Sequence, residues 1–377
     1  MFLTFFLGFE SGGFQLSLLR ITREYSLSGG AVGAFVTAQF TAIIIAPLAF
    51  GWLSDRIGKK RVLMLFSGLI VAVCAAITFL PHFAVFAAGI FLVGAGYAMC
   101  EATGGAAIAD AFSGKQEKYM NYVQAFFCVG AAAGSPVTDF LMNRGMSWRV
   151  VFTTSGTAYA CVFVLLIFTK FAAPRGKTPD DENKKSGRKM PRYGLLIRPV
   201  FLCLLVSIVI YVAVETACGF FMDYLFTESL NAPNFSAAAI SVFWISMMLS
   251  RFIAGFLGKG EKIITPAAFL VISFFAILIA AAKNPAFALV CCFMIGFAHG
   301  PVWPNIVGLA SREYPSETGL ITGSMTAASG IGGALSPVLM GVWADRFGIG
   351  AAFIIFAFIT AAGFLTMTGY LRLKKSR

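Results

Sequence analysis

Long apolar runs separated by short polar segments make up nearly the whole chain. Each run is about as long as the roughly 20 residues that a helix needs to cross the hydrocarbon core of a bilayer. The runs are continuously apolar and lack the alternation typical of barrel strands, which favours helices. With charges, prolines and polar clusters as breaks, the pattern predicts twelve spans, at about 2–19, 30–53, 62–80, 83–109, 119–142, 149–170, 195–223, 236–257, 264–282, 286–309, 317–341 and 350–371.

The composition supports this all-α membrane interpretation. Hydrophobic residues make up 58% of the 377 residues and charged residues only 12%, with a mean hydropathy of +0.82. A soluble domain carries about 25% charged residues. The chain therefore has too few polar side chains to cover a surface that faces water, and we predict an integral membrane protein in contact with lipid.

The net charge of +12 indicates orientation rather than a nucleic-acid partner. The loops after spans 2, 4, 6, 8 and 10, together with the C-terminal tail, hold 22 of the 29 Lys and Arg residues. Because such excess marks the cytoplasmic side, we predict cytoplasmic termini in the plasma or inner membrane. Residues 1–19 lack the basic start of a signal peptide, and whether Met1 is the natural start stays open.

The chain divides into two similar halves. The longest polar stretch, residues 171–193, predicts a cytoplasmic linker between a six-helix bundle at 1–170 and a second at 194–377. The segment GAAAGSPV pairs with GIGGALSPV at an offset of 201, and GFES pairs with AVET, which places Glu10 on Glu215 at an offset of 205. Parallel repeats of this kind are typical of transporters with a substrate site between the halves.

Several segments carry a family resemblance. The loop GWLSDRIGKK after span 2 resembles the signature loop of the major facilitator superfamily, which implies two pseudo-symmetric six-helix bundles. Within that superfamily, CEATGG, MNYVQAFFCVGAAAGSP, SWRVVF, YVAVETACGFFMDYL and GPVWPNIVGLASREYP resemble segments of the fucose–proton symporters and related sugar carriers. A monomer is the default for this family.

The signature loop is predicted to act as a gate. Gly51 and Gly58 allow a tight turn between antiparallel helices. The resemblance implies that Asp55 lies near the start of span 11, where the helix dipole favours an anion. Arg56 could pair with Asp110 at the end of span 4. Bonds of this kind would hold one face of the protein shut and break when the halves rock.

Three glutamates, Glu10, Glu101 and Glu215, fall inside predicted spans. Ionisable groups at membrane depth are costly and usually line a cavity or face a partner. A carboxyl group in such a place can take up and release protons, so we predict proton coupling. The resemblance of CEATGG to the fucose–proton symporters implies that Glu101 serves both proton transfer and sugar binding. The alternative for each glutamate is a structural hydrogen bond.

Polar and aromatic groups in the spans predict a small polyhydroxy substrate, because amides bind hydroxyl groups and aromatic faces cover the ring of a sugar. Gln15 lies near the place of the span-1 aspartate of the fucose–proton symporters. Arg251 is expected to snorkel toward the cytoplasm, and His299 to pack rather than relay protons. The predicted substrate-binding residues are Gln15, Asn121, Gln124, Tyr211, Trp244, His299, Trp303 and Asn305.

These features together predict a secondary active transporter that works by alternating access, with proton-coupled uptake of a monosaccharide or similar small polar solute. A proton-driven exporter or an organic-anion transporter of the same fold is the alternative. An enzyme is disfavoured because the sequence has no metal motif, phosphate loop or nucleophile with a plausible base. A sensor is disfavoured because the linker at 171–193 is too short for a signalling domain, and no cofactor or metal is expected. The substrate, the direction of transport, the coupling ion and its stoichiometry, and the oligomeric state stay open.

Overall fold

A computed structural model describes residues 1–27, 29–50, 53, 57–80, 82–111, 116–169, 194, 197–257, 260–313 and 318–375, and the described elements are helices. We number them by span, with the tenth in two parts. The helices are α1 Phe2–Glu24, α2 Gly29–Phe50, α3 Lys59–Phe79, α4 Phe83–Ala111, α5 Gln116–Asn143, α6 Val150–Phe168, α7 Pro199–Tyr224, α8 Ser236–Leu257, α9 Glu261–Ala280, α10a Pro285–His299, α10b Val302–Glu313, α11 Thr318–Phe347 and α12 Ile349–Lys375.

The predicted spans are confirmed as helices. Eleven stretches of the described chain are long and apolar enough to cross a membrane, and α2 contributes a shorter apolar stretch, Phe35–Pro47. Several helices continue past the apolar run, since charged residues at their ends find partners. Glu24, in the last turn of α1, pairs with Arg149 at 2.8 Å, and Arg20 lies 3.4 Å from Asp139.

Span 10 is confirmed as a membrane span, Pro285–Ala310, but its helix is broken within the span. The helix stops at His299 and restarts at Val302. Pro301 and Pro304 cannot donate a backbone hydrogen bond, and each ring clashes with the preceding turn. Broken helices are a common element of transporter binding sites, because the break frees backbone groups.

Two pairs of glycines bring α1 and α5 into backbone contact. A Cβ atom on Gly8 would lie 1.9 Å from the Phe127 carbonyl oxygen, and one on Gly130 would lie 1.9 Å from the Phe5 carbonyl oxygen. No side chain fits at that distance. Small residues let membrane helices approach closely and gain dispersion contacts, so α1 and α5 form a tight seam inside the first half.

The second half repeats this seam between α7 and α11. The Ser135 hydroxyl donates to the Gly12 carbonyl at 2.9 Å, and the Ser336 hydroxyl donates to the Ala213 carbonyl. Both residues of the second bond follow those of the first by 201 positions. The predicted relation between GAAAGSPV and GIGGALSPV therefore has a structural counterpart.

The same offset corrects the proposed pairing of Glu10 with Glu215. An offset of 201 places Tyr211 at the position of Glu10, one helical turn before Glu215. The similarity of GFES to AVET misled because both segments combine small and apolar residues with one glutamate. The two glutamates therefore have different neighbours.

The halves meet along two helix pairs, α2 with α11 and α5 with α8. The Thr37 hydroxyl donates to the Ala334 carbonyl at 2.5 Å, and the Ser241 hydroxyl donates to the Ala132 carbonyl at 2.9 Å. These two bonds lie at similar places in the repeat, since Ser241 follows Thr37 by 204 positions and Ala334 follows Ala132 by 202. Each interface between the halves thus includes one hydroxyl-to-backbone bond.

A further contact joins the halves where α1 and α7 end. The Thr22 and Tyr224 hydroxyls lie 3.0 Å apart, and Arg23 pairs with Glu228 at 3.3 Å. The Phe220 ring meets Phe14 edge to face one level deeper. Because these groups belong to opposite halves, they must separate for the halves to part at this end.

The predicted gate lies largely outside the described residues. Gly51, Asp55 and Arg56 are not described, and neither is the side chain of Asp110. Gly58 precedes α3 with a φ of 88°, a conformation that favours glycine. The gate itself stays a prediction, as does the linker at 171–193.

Candidate substrate and coupling site

Arg251 on α8 lies at the centre of the interface between the halves and is only 4% exposed. Its Nε donates to the Gly300 carbonyl at 3.2 Å and its Nη2 to the Tyr211 hydroxyl at 3.4 Å. Its Nη1 donates to the Gln124 carbonyl at 3.2 Å and to the Cys128 sulfur at 3.0 Å. The expectation that Arg251 snorkels outward was wrong, because inward acceptors are available to all three nitrogens.

The break in span 10 explains why the Gly300 carbonyl is available. In an unbroken helix this oxygen would accept from the backbone N–H four residues later, but that residue is Pro304, which has none. The Arg251 guanidinium supplies the donor instead. The prolines of GPVWPN thus create one acceptor of the central cluster.

Glu101 joins this cluster through Gln124. The Gln124 amide Nε2 donates to Glu101 Oε1 at 3.1 Å, while the backbone oxygen of the same glutamine accepts from Arg251. Both predicted residues are partly buried and belong to the first half, on α4 and α5. One residue of α5 therefore contacts a carboxylate of its own half and a cation of the other.

Glu215 lies on the opposite side of the cluster, one turn after Tyr211 on α7. Its carboxylate interacts electrostatically with Arg251 and with the Tyr211 hydroxyl. Within the described chain, no carboxylate lies within the 4.0 Å of an ion pair with Arg251. Glu101 and Glu215 thus share the electrostatic influence of Arg251, but neither forms an ion pair with it.

A second layer of predicted residues lies about 10 Å along α8, two helical turns before Arg251. The Trp244 indole Nε1 donates to Gln15 Oε1 at 3.1 Å across the interface. The Phe127 ring meets Trp244 edge to face, with centroids 5.4 Å apart. Gly219 leaves room for the glutamine, since a Cβ atom there would lie 2.7 Å from Gln15 Nε2.

His299 and Trp303 flank Tyr211 on either side of the helix break. The His299 ring is fully buried, and its Nδ1 donates to the Ile295 carbonyl at 2.8 Å. Ring centroids lie 5.4 Å apart for His299 and Tyr211, and 6.3 Å apart for Trp303 and Tyr211. The bond of His299 to its own helix fits the packing role expected of it.

The remaining predicted residues lie apart from the central cluster or are not described. The Asn305 amide donates to Thr265 Oγ1 at 3.1 Å and therefore faces α9. The side chain of Asn121 is outside the described residues. Glu10 is buried on α1, and the described part of the chain shows no hydrogen bond or ion pair between it and Arg251.

Sequence reasoning missed two members of the cluster. Neither Cys128 nor Tyr97 is among the residues that the sequence predicts for this site. Tyr97 interacts electrostatically with all three predicted glutamates, Glu101, Glu215 and Glu10. Its position four residues before Glu101, on the same helix face, was the available signal.

Comparison with known proteins agrees with this architecture. A glucose/galactose transporter of Brucella abortus (strain 9-941) is 24% identical over 84% of this chain and 79% of that protein. A TsgA homologue of Buchnera aphidicola subsp. Baizongia pistaciae is 20% identical over 90% of this chain and 85% of its own length. The crystal structure of the fucose:proton symporter FucP in its outward conformation superimposes with a TM-score of 0.69 and 17% identity, over 98% of this chain and 97% of that one.

That structural likeness, at such low identity, concerns the fold alone. The Major Facilitator Superfamily model matches residues 1–337 and 262–377, which together span the whole chain. The paired six-helix architecture, the repeated seams and the polar cluster between the halves fit the same assignment. The chain belongs to the Major Facilitator Superfamily, and it is a membrane transporter rather than an enzyme.

Proposed function

We propose that this transporter takes up a monosaccharide, or a similar small polar solute, together with a proton by alternating access. The observation that carries the proposal is the bond from Gln124 to Glu101 beside the buried Arg251. It places a carboxyl group, an amide and a cation together where the two halves meet. The similarity to a glucose/galactose transporter supports a sugar as substrate.

The proton role belongs to Glu101 and Glu215 in this proposal. Both share Arg251, so a proton on either carboxyl group changes how strongly the guanidinium is held. A change of that kind alters the balance between two arrangements of the halves by its differential interaction energy. The proton gradient would thereby bias which side of the site opens. The protein would act as a monomer in the cell membrane with both termini in the cytoplasm.

Glu101→Gln is expected to reduce accumulation driven by a proton gradient roughly a hundredfold. Counterflow exchange of the sugar should persist. The amide keeps the shape of the side chain but cannot carry a proton. The measurement is uptake of a panel of radiolabelled sugars into proteoliposomes, with and without an imposed inward gradient. The matched control is Glu261→Gln, which should transport normally, since the carboxylate of Glu261 pairs with Arg312 at the start of α9. Gradient-driven accumulation by Glu101→Gln would contradict the proposed proton role.

Trp244→Phe is expected to raise the KM for the transported sugar about tenfold, since it keeps an aromatic ring but leaves Gln15 Oε1 without its donor. Uptake rates over a range of sugar concentrations measure the change. Trp343→Phe is the control, because Trp343 packs edge to face on Phe356 outside the interface. An unchanged KM would remove Trp244 from the substrate site.

An organic anion is the second candidate substrate, and the buried position of Arg251 favours it. A carboxylate could pair with this cation where the described chain supplies no ion pair. Against it, all three guanidinium nitrogens already donate to protein acceptors. The transport panel should therefore include organic anions and drugs, and uptake of these without uptake of any sugar would replace the sugar proposal.

A further inference from the structure

Three buried oxygen atoms in the first half lack hydrogen-bond partners among the described residues. They are Glu10 Oε1 on α1, and Ser155 Oγ and Tyr159 Oη on α6. The three side chains are 3%, 0% and 1% exposed. Nearly all buried polar groups in native proteins are paired, and exceptions indicate an ion, a water molecule or a functional role.

The packing of α1 against α6 brings Glu10 and Ser155 to about the same level, with Tyr159 one turn away. The Phe14 ring meets the Phe152 ring at a centroid distance of 6.1 Å. The two helices run in opposite directions, so one turn back along α1 corresponds to one turn forward along α6. That step leads from Phe14 to Glu10 and from Phe152 to Ser155, with Tyr159 one turn further. Glu10 and Tyr159 also interact electrostatically.

No side chain of the described chain balances the charge of Glu10. The titratable groups around it on the neighbouring helices are Cys74 on α3, Tyr97 on α4 and Tyr159 on α6. None of these is a cation, whereas the two central glutamates share Arg251. An uncompensated buried carboxylate is strongly unfavourable, so Glu10 must be neutralised, either by a proton or by a bound cation.

We propose that Glu10, Ser155 and Tyr159 bind a dehydrated Na⁺ ion, at a site distinct from the proton site at Glu101. Hard cations prefer oxygen ligands, and one carboxylate balances one positive charge. A proton would neutralise Glu10 as well, whereas a bound Na⁺ ion would also contact the hydroxyl oxygen atoms of Ser155 and Tyr159. The inference does not depend on which solute is transported.

The test is the thermal unfolding midpoint of the purified full-length protein, without substrate, during a titration with NaCl. Choline chloride keeps the ionic strength constant, and KCl serves as the parallel salt. We expect a saturable rise of the midpoint with Na⁺, since a ligand that binds the folded state stabilises it by mass action. Glu10→Gln should abolish the response, while Ser155→Ala and Tyr159→Phe should weaken the apparent Na⁺ affinity about tenfold each.

Two control variants separate this site from the rest of the protein. Ser207→Ala removes a buried hydroxyl that already donates to the Cys203 carbonyl, and it should keep the Na⁺ response. Glu101→Gln should also keep the Na⁺ response. A failure of the proton proposal can then be told apart from a failure of the Na⁺ proposal. Should Glu10→Gln fail to fold, Tyr159→Phe carries the test, since it removes one oxygen atom and keeps the ring.

The proposal is overturned if the wild-type midpoint does not respond to Na⁺ more than to K⁺. It is equally overturned if the Na⁺ response survives both Glu10→Gln and Tyr159→Phe. A midpoint that depends on pH alone, through Glu10, would assign a proton to this residue, as the sequence predicts, and would exclude the Na⁺ site.

Discussion

Arg251→Met is expected to reduce transport at least about a hundredfold. The substitution keeps much of the volume of the side chain and removes every hydrogen bond of the guanidinium. Two of these bonds, to the Gln124 carbonyl and the Cys128 sulfur, cross between the halves. Hydrogen bonds to charged groups contribute about 1.5–3 kcal/mol each, so the arrangement described here would lose several kcal/mol.

The transport rate of Arg251→Lys should fall between those of the wild type and Arg251→Met. It keeps the positive charge near Glu101 and Glu215 but cannot reach acceptors in three directions with a planar fork. Initial rates of gradient-driven uptake, normalised to the amount of folded protein, provide the measurement. Arg144→Met is the control, because Arg144 lies at the surface over the Phe140 ring. Transport by Arg251→Met at the level of this control would contradict a central role for the cluster.

Gly130→Leu is expected to prevent assembly of the first half. A Cβ atom at this position would lie 1.9 Å from the Phe5 carbonyl oxygen, a backbone atom that cannot rotate away. Overpacking of ordinary cores costs about 1–3 kcal/mol of folding free energy. A clash with a backbone atom should cost at least as much. The variant should therefore yield little monodisperse protein in size-exclusion chromatography.

The control for this variant is Gly255→Leu on α8. Gly255 is exposed, and a Cβ atom there would have nothing within 4 Å. The same change of residue in a helix facing outward should leave the elution profile and the unfolding midpoint close to those of the wild type. Equal behaviour of the two variants would show that the seam between α1 and α5 does not limit stability.

The spans were predictable because burial in lipid leaves a continuous apolar signal in the sequence. The break in span 10 was harder to predict, although its two prolines were visible. Proline within a membrane helix often produces only a kink, since neighbouring groups satisfy the freed carbonyls. Here the neighbour is Arg251, and only the tertiary structure shows that its guanidinium reaches Gly300.

The sequence predicted which residues form the candidate site better than it predicted which side chains contact one another. Glu101 and Gln124 were both selected, and they bond to each other. Asn305 carries the same kind of amide but faces Thr265 on α9. The direction of a side chain around a broken helix depends on where the second segment restarts, which the local sequence does not determine.

The contacts inside each half differ from those between the halves, and this difference bears on whether the two halves need to be one polypeptide. Inside each half, a serine bond and backbone contacts join the first and fifth helices, whereas side-chain bonds such as those of Thr37, Ser241 and Arg251 link the two long interfaces between the halves. Each half thus carries a complete inner seam of its own. We expect residues 1–180 and 181–377, produced as separate polypeptides in one cell, to find each other in the membrane and restore transport. Covalent continuity between α6 and α7 would then secure equal amounts of the two halves rather than their folding.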